Sequence, residues 1–316
     1  MSRTLLLVVA VIVSTMLHAA PVRAADPEAS VQYNKVIELF ETDKPALGIF
    51  SSGRSTRNAA SLSSSKLDFV MIDMEHGPVD FAILETFLLA MNDKRRALEK
   101  GNPQPDVVPM VRLPQNGRER LQFLIKQALD LGAYGLMLPH IETAEEALSA
   151  VRAARFAPTR GATDAEPIGQ RGVAYGYAAR YWGIPSREYL HRADVWPHDP
   201  QGSILLIMQI ESMRAVENVE EILAVPGVGA IFIGPADLAQ SLGVRSDHPD
   251  LEAAVQRVLA ATQARNIPCG ITANTQTAPV RLKQGFRLLT LGGDTGPSAG
   301  ANAALEAARE SVGRDD

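Results

Sequence analysis

The sequence predicts an α/β fold and, within that class, a single-domain (β/α)8 barrel of the TIM type. Eight short runs rich in Val, Ile, Leu and Met are almost continuously apolar, as are parallel strands that helices cover on both faces. Stretches with helical periodicity separate most of these runs, and eight alternations of strand and helix favour a closed barrel. An open, doubly wound sheet is the alternative, but no G-x-G-x-x-G sequence follows the first run.

The predicted elements lie between residues 46 and 291. The clearest helices are those in which apolar residues recur at the spacing of one helical face, namely Arg118–Leu131, Thr143–Arg155 and Leu251–Arg265. The eight predicted strands are Ala46–Ser51, Phe69–Asp73, Val107–Val111, Tyr134–Leu138, Ile204–Ile210, Ala230–Ile233, Pro268–Ile271 and Arg287–Leu291.

The first residues have the pattern of a secretory signal peptide. Arg3 precedes the apolar stretch Leu5–Leu17, and small residues suitable for cleavage end at Ala24. The apolar stretch is shorter than the roughly 20 residues that a membrane span needs. We therefore expect residues 1–24 to be removed on export. The remaining chain, 25–316, is expected to be one periplasmic or secreted domain without stable membrane insertion.

Charge and cysteine content exclude some classes of protein. Cleavage after residue 24 would remove two arginines and no acid, leaving 29 basic and 36 acidic residues and a net charge of −7. No basic stretch is present that would neutralise phosphates, so nucleic acid is not an expected partner. The exported chain has one cysteine, Cys269, so an intrachain disulfide is impossible and stability must come from an ordinary core.

Two stretches interrupt the rhythm of strand and helix. Residues 92–106 are charged and contain proline, which is most simply a solvated surface loop. Ala157–Ser203 is far too long for an ordinary connection and contains the aromatic-rich motif QRGVAYGYAARYWG. This segment is expected to be either a packed subunit contact, which is the favoured interpretation, or a flap over the active site.

Polar side chains follow four of the predicted strands. In (β/α)8 barrels the catalytic groups collect at the carboxyl ends of the strands, so polar residues there are the first candidates for a site. They are Asp73, Glu75 and His76 after the second strand, Arg112 after the third, Gln209 and Glu211 after the fifth, and Asp237 after the sixth.

Glu211 and Asp237 follow adjacent strands, so their carboxylates can converge on one point. Either acid alone would more simply be a helix cap or a partner in a loop salt bridge. Two carboxylates without a neighbouring Cys or His favour a hard divalent cation such as Mg²⁺ or Mn²⁺. The sequence therefore predicts a metal site with these two acids as its only protein ligands, and with water and substrate oxygens in the other positions.

Arg112 and His76 complete the predicted chemistry. A guanidinium that ends an apolar strand can bind a carboxylate or an oxyanion through paired hydrogen bonds. His76 is the natural proton carrier near neutral pH, and Asp73 is expected to hold its imidazole by one nitrogen. With a cation, these groups suit the binding of a 2-oxo acid and the stabilisation of the enolate formed at its C3. A Schiff-base lysine is the alternative, but none of the seven lysines ends a predicted strand.

The order and spacing of several motifs resemble the HpcH/HpaI aldolase/citrate lyase family. The motifs are IDMEHGP, VRLP, ALDLGA, QRG, QIES and GPADLAQSLG, which together span roughly Ala46 to Gly293. The resemblance is closest to the branch of class II, metal-dependent pyruvate aldolases. It implies that Glu211 and Asp237 bind a divalent cation, for which Mg²⁺, Mn²⁺ and Co²⁺ are the candidates. It also implies that pyruvate chelates this cation through its carboxylate and keto oxygens.

The resemblance also implies roles for the other polar residues. Arg112 would steady the enolate, while His76 and Asp73 would serve in proton transfer. An aspartate matching Asp130 reaches a neighbouring subunit's active site in related hexamers, which implies a homo-oligomer, a hexamer or trimer of dimers. The residues assigned to substrate binding are Arg112, Gln209, Gly234, Pro235, Ala236 and Asp237, with backbone amides around the last four holding the pyruvate carboxylate.

The predicted function is that of a carbon–carbon lyase. It would cleave the C3–C4 bond of a 4-hydroxy-2-oxo acid to give pyruvate, or a related 2-oxo acid, and an aldehyde. One alternative is a lyase like citrate lyase or malyl-CoA lyase, although no basic site for a CoA phosphate is evident. The other is a non-catalytic periplasmic module that binds 2-oxo acids, which would have no need of a proton carrier such as His76. The sequence does not indicate the aldehyde.

Overall fold

The computed structural model describes residues 31–114, 122–162, 165–293 and 299–314. The predicted signal peptide lies outside these residues. The strands are β1 (Ala46–Ser51), β2 (Phe69–Asp73), β3 (Val108–Arg112), β4 (Gly135–Leu138), β5 (Val195–Trp196), β6 (Ile204–Ile210), β7 (Ala230–Ile233), β8 (Cys269–Thr272) and β9 (Leu288–Gly293). The helices are α1 (Lys35–Glu41), α2 (Thr56–Ser63), α3 (Phe81–Met91), α4 (Lys94–Lys100), α5 (Gln122–Asp130), α6 (Ala144–Ala154), α7 (Gly176–Trp182), α8 (Ser186–Arg192), α9 (Met213–Glu217), α10 (Val219–Leu223), α11 (Pro235–Leu242), α12 (Pro249–Ala264), α13 (Ala278–Gln284) and α14 (Ala299–Ser311).

Eight of the strands pair in parallel to form a closed barrel. Their order is β4, β3, β2, β1, β9, β8, β7 and β6, and the pairing of β4 with β6 closes the ring. The predicted (β/α)8 fold is therefore confirmed. All residues of β2, β3, β4, β6 and β7 are buried, because side chains fill the barrel on one face and helices cover the other. This double burial explains the uninterrupted apolar runs.

The predicted strands and helices match the observed ones to within a few residues. Thr143 caps α6 in a capping box with Glu146, which fixes where that helix begins. A ninth strand, β5, was not predicted. It has two residues and pairs beside the start of β6, with Val195 opposite Ile204, so it lies outside the barrel ring. In the described part of the chain, no helix is both long and apolar enough to cross a lipid bilayer.

Both interrupting stretches lie at the amino end of the barrel, because each connects a helix to the strand that follows it. Residues 92–106 contain helix α4, which Asp93 caps, so the expectation of a simple loop was wrong. The segment Ala157–Ser203 contains α7, α8 and β5. A cavity of about 490 Å³ lies between the two stretches.

The aromatic residues of the longer segment pack on the chain's own barrel. Trp182 stacks on Tyr134, just before β4, with ring centroids 4.3 Å apart, and its Nε1 donates to the Gly132 carbonyl at 2.9 Å. Tyr181 covers Gly132, where a Cβ would lie 2.3 Å from the Tyr181 ring and the backbone φ is +102°. These aromatic residues therefore do not cover the carboxyl ends of the strands of their own barrel. A subunit contact made by this segment stays a prediction.

Candidate active site

The polar residues that follow the strands meet at the carboxyl end of the barrel. Asp73 and Arg112 are direct partners in the pairing of β2 with β3. The pairing of β6 with β7 ends at Ile210 and Ile233, which brings Glu211 beside Gly234. Strand register therefore determines which of the predicted site residues can touch.

Arg112 is held rigidly by two acids. Its Nε and Nη2 donate to the two oxygens of Asp73 at 2.9 and 2.6 Å, and its Nη1 lies 3.0 Å from Glu75 Oε2. The Phe50 ring lies under the guanidinium, with its centroid 4.3 Å from Cζ. Burial by itself would raise the pKa of Asp73, but the hydrogen bonds and charge of Arg112 outweigh it and lower that pKa.

The expectation that Asp73 holds the His76 imidazole is not met in the structure. Both oxygens of Asp73 are engaged by Arg112, and Oδ1 also accepts the backbone N–H of Glu75 at 3.0 Å and of His76 at 3.5 Å. Strand register puts the guanidinium directly opposite Asp73, and this charged partner outcompetes the imidazole. The His76 side chain is 64% exposed, and its Nε2 lies 3.6 Å from Glu75 Oε2.

Glu75 is a site residue to which the sequence analysis gave no role. Its Oε2 is buried and receives no hydrogen bond from the described residues, because Arg112 Nη1 is near enough for an ion pair but not aligned for a hydrogen bond. Burial, and then the charges of Glu211, Asp73 and Asp237, raise the pKa of Glu75 to about 7 despite Arg112. The sequence feature that could have identified Glu75 as a site residue is its position two residues after Asp73, at the end of a predicted strand.

Glu211 is buried and held at both oxygens. Gln209 Nε2 donates to its Oε2 at 2.5 Å, and the backbone N–H of His140 donates to its Oε1 at 2.6 Å. Burial raises the pKa of Glu211, and nearby Asp237 raises it further, although His140 and Gln209 act in the opposite direction. A Cβ on Gly234 would lie 2.8 Å from Glu211 Oε2, so only glycine fits against this carboxylate.

His140 is the second residue that the sequence analysis missed. It follows β4 by two residues, has a positive φ of 54°, and places Nε2 3.5 Å from Glu211 Oε1. Potential ligand atoms of Glu75, His140 and Glu211 all lie within 4.8 Å of one another. The premise that no histidine neighbours the predicted metal ligands was therefore wrong, because β4 and β6 are adjacent in space although far apart in sequence.

Asp237 stands in the first turn of α11, beside this group. Of the four backbone positions assigned to substrate binding, only Ala236 and Asp237 have N–H groups that the first helical turn leaves available. Pro235 has no N–H, and the N–H of Gly234 donates to the Ile210 carbonyl at 3.0 Å. At most two of the four positions, Ala236 and Asp237, can therefore donate a backbone N–H to the substrate carboxylate as expected.

A sequence model of the HpcH/HpaI aldolase/citrate lyase family matches residues 46–299. The chain belongs to this family. The predicted family is thereby confirmed, and with it an enzyme of the aldolase type that acts as a carbon–carbon lyase.

Named relatives of this HpcH/HpaI family member agree with the assignment. The hydroxypyruvate/pyruvate aldolase of Paraburkholderia phytofirmans is 38% identical over 259 residues, which are 81% of this chain and 89% of that protein. The 5-keto-4-deoxy-D-glucarate aldolase of Salmonella paratyphi A is 32% identical over 267 residues, 83% of this chain and 91% of that one. A crystal structure of a family protein from Burkholderia cenocepacia is 34% identical, with a TM-score of 0.67 over 89% of this chain and 98% of its own.

The donor set at the mouth of this family member's barrel fits a divalent cation. Carboxylates dominate the set, and both Glu75 Oε2 and Gln209 Oε1 are buried oxygens without a hydrogen-bond donor among the described residues. A cation would offset the burial of Glu211, whose pKa is raised. The residues present therefore suit metal binding, as the family resemblance implies.

Asp130 lies away from this site. It is the last residue of α5 and so is at the amino end of the barrel. Its Oδ1 accepts hydrogen bonds from Arg171 Nε and Nη2 at 3.1 and 2.9 Å, and Lys126 pairs with its other oxygen. Arg171 is the arginine of the QRG motif, so the two motifs join within one chain. A role of Asp130 in a neighbouring subunit's site stays a prediction.

Proposed function

We propose that this chain is a divalent metal-dependent aldolase that cleaves a 4-hydroxy-2-oxo acid into pyruvate, or a related 2-oxo acid, and an aldehyde. The observation that carries the proposal is the rigid Arg112 guanidinium facing buried carboxylates at the mouth of a (β/α)8 barrel. The names of the two relatives, both aldolases, support the same class of substrate.

Glu211 and Asp237 are the residues that would hold the cation, with Mg²⁺, Mn²⁺ and Co²⁺ as the candidates. A bound divalent cation supplies Lewis-acid polarisation of the substrate's 2-oxo group. The backbone N–H groups of Ala236 and Asp237 at the start of α11 suit the substrate carboxylate, because the first turn of a helix attracts anions. Gln209 donates a hydrogen bond to Glu211 and so contributes to the site by orienting that carboxylate.

Arg112 stabilises the negative charge that develops on the substrate as the C3–C4 bond breaks. Its guanidinium is fixed before the reaction by Asp73 and Glu75, so little reorganisation is needed when the charge appears. Asp73 is thus a positioning residue that acts through Arg112.

His76 moves the protons in this mechanism. As the C3–C4 bond breaks, its imidazole takes the proton of the 4-hydroxyl group, which becomes the aldehyde oxygen, while the bonding electron pair passes to the enolate. The same proton, delivered to C3, converts the enolate into the keto product. Glu75, whose Oε2 lies 3.6 Å from His76 Nε2, is placed to exchange a proton with the imidazole.

Exchange of the pyruvate methyl protons in deuterated buffer tests this function. We expect exchange, followed by proton NMR, when Mg²⁺, Mn²⁺ or Co²⁺ is present, because exchange needs only the enolate and a proton carrier. Excess EDTA should abolish both exchange and retro-aldol cleavage, and added metal should restore both. Full activity in EDTA would refute metal dependence. Pyruvate binding without exchange under every metal would instead indicate a non-catalytic binding module.

We further propose that the protein is exported and assembles as a homo-oligomer, a hexamer or trimer of dimers. The signal-peptide pattern of the first 24 residues and the family resemblance at Asp130 support these two properties. Native mass spectrometry of protein from its own host should give a subunit that starts within a residue of Ala25, in an assembly of six. An intact Met1 would contradict export, and a monomer at micromolar concentration would contradict assembly.

A further inference from the structure

We infer that His140 is a third protein ligand of the divalent cation, and that it shifts the metal preference of this site away from Mg²⁺. The inference rests on the proposed function, because it concerns the same cation. It extends the expectation from the sequence, which gave Glu211 and Asp237 as the only protein ligands.

His140 lies at a distance from Glu211 that suits a shared ion. His140 Nε2 lies 3.5 Å from Glu211 Oε1. Two ligand atoms that are each about 2.1 Å from one ion are separated by about 3.0 to 4.2 Å, depending on the angle between them. The imidazole nitrogen therefore already lies at a spacing that one shared ion would impose. A potential ligand atom of Glu75, which is not one of the three proposed ligands, also lies within 4.8 Å of those of His140 and Glu211.

The backbone at His140 is held by the same carboxylate. Non-glycine residues rarely have a positive φ, and His140 has a φ of 54° in the loop after β4. This conformation is fixed from the site itself, since the His140 N–H donates to Glu211 Oε1 at 2.6 Å. The backbone N–H of His140 thus donates to the Glu211 carboxylate, and the imidazole of the same residue lies next to that carboxylate.

An imidazole ligand changes which metals a site prefers. An imidazole ligand suits the later first-row metals, whereas sites made only of carboxylate, carbonyl and water suit Mg²⁺ and Mn²⁺. The His140 side chain is one-third exposed at the barrel mouth, so its nitrogen is accessible to an entering ion. We therefore expect Co²⁺ or Zn²⁺ to bind this chain more tightly than Mg²⁺.

The test uses substitutions that tolerate a positive φ. His140→Gly removes the imidazole and keeps the backbone N–H to Glu211, and His140→Asn does the same with a side chain that accepts this conformation. Calorimetric titration of both variants should show a loss of Co²⁺ affinity of about 10-fold or more, with a change below about 3-fold for Mg²⁺. His191→Ala, an exposed histidine on α8, is the matched control and should leave both affinities unchanged.

Pulsed EPR of the Mn²⁺-loaded protein gives a readout independent of activity. The wild-type protein should show modulation from an imidazole nitrogen, which persists in His76→Ala and disappears in both His140 variants. Mn²⁺ binding without that modulation, or modulation that survives His140→Gly, would overturn the inference and leave the proposed function standing. Failure of the wild-type protein to bind any divalent cation would overturn both.

Discussion

Replacement of Glu211 by glutamine is expected to lower kcat for retro-aldol cleavage by on the order of 10³ or more and to abolish tight metal binding. Glutamine keeps the size of the side chain, so it still fits against Gly234, but it removes the buried negative charge that a cation needs. Both oxygens of Glu211 are oriented by neighbours, so the carboxylate is held in one fixed position. Steady-state kinetics and calorimetric titration with Mn²⁺ measure the two effects.

Glu142→Gln is the matched control for this experiment. Glu142 lies in the loop after β4, and its carboxylate accepts a hydrogen bond at 2.6 Å from Ser212, which follows Glu211 directly in the loop after β6. It is outside the group of potential metal ligands. Activity close to wild type in Glu142→Gln and a large loss in Glu211→Gln would assign the effect to the metal site. Equal losses in the two variants would mean that the contact between the loops after β4 and β6, and not the metal ligand, had been damaged.

Arg112→Lys should depress both retro-aldol cleavage and pyruvate proton exchange by about 10² to 10³. Lysine keeps the positive charge but cannot make the paired contact with Asp73 while it also faces Glu75. Both reactions pass through the enolate, so both should fall together. Asp73→Asn should reproduce part of this loss, because it weakens the orientation of the guanidinium without removing it.

Two comparisons make this prediction specific. Arg281→Lys changes another arginine with a two-point contact to a carboxylate, Glu252, outside the site, and should leave both reactions unchanged. His76→Ala should lower cleavage by roughly 10² to 10⁴ while metal affinity changes little, since its role is proton transfer. If Arg112→Lys reduced cleavage but left proton exchange intact, stabilisation of the enolate by Arg112 would be the wrong interpretation.

Much of the fold was predictable because burial on both faces leaves a strong signal in the sequence. The runs that became β2 and β6 are apolar at nearly every position, and turn residues bound them. The two-residue β5 has no periodicity to detect, since it exists only through its pairing with the start of β6. Helix α4 was missed because all of its seven residues are at least partly exposed, so no apolar face distinguishes it from a loop.

The site was predictable where each residue ends a strand, and less so where contact depends on register. Asp73, Arg112 and Glu211 were found from their positions alone. The choice of Arg112 over His76 as the partner of Asp73 follows from the pairing of β2 with β3, which the sequence does not state. His140 was overlooked because no sequence pattern distinguishes a histidine two residues past a short strand. Its proximity to Glu211 depends on the closure of the barrel between β4 and β6.

The position of the two interrupting stretches, 92–106 and Ala157–Ser203, determines where this chain can be engineered. Both stretches connect a helix to the next strand, so they lie at the amino end of the barrel. Among the described connections that leave the carboxyl ends of the strands and lead into helices, none is longer than the seven residues between β2 and α3. Within these described connections, changes aimed at substrate preference therefore fall in short loops at one pole. The opposite pole already accommodates α4, α7 and α8, so bulk on that side leaves the entrance to the reaction site of the same chain open.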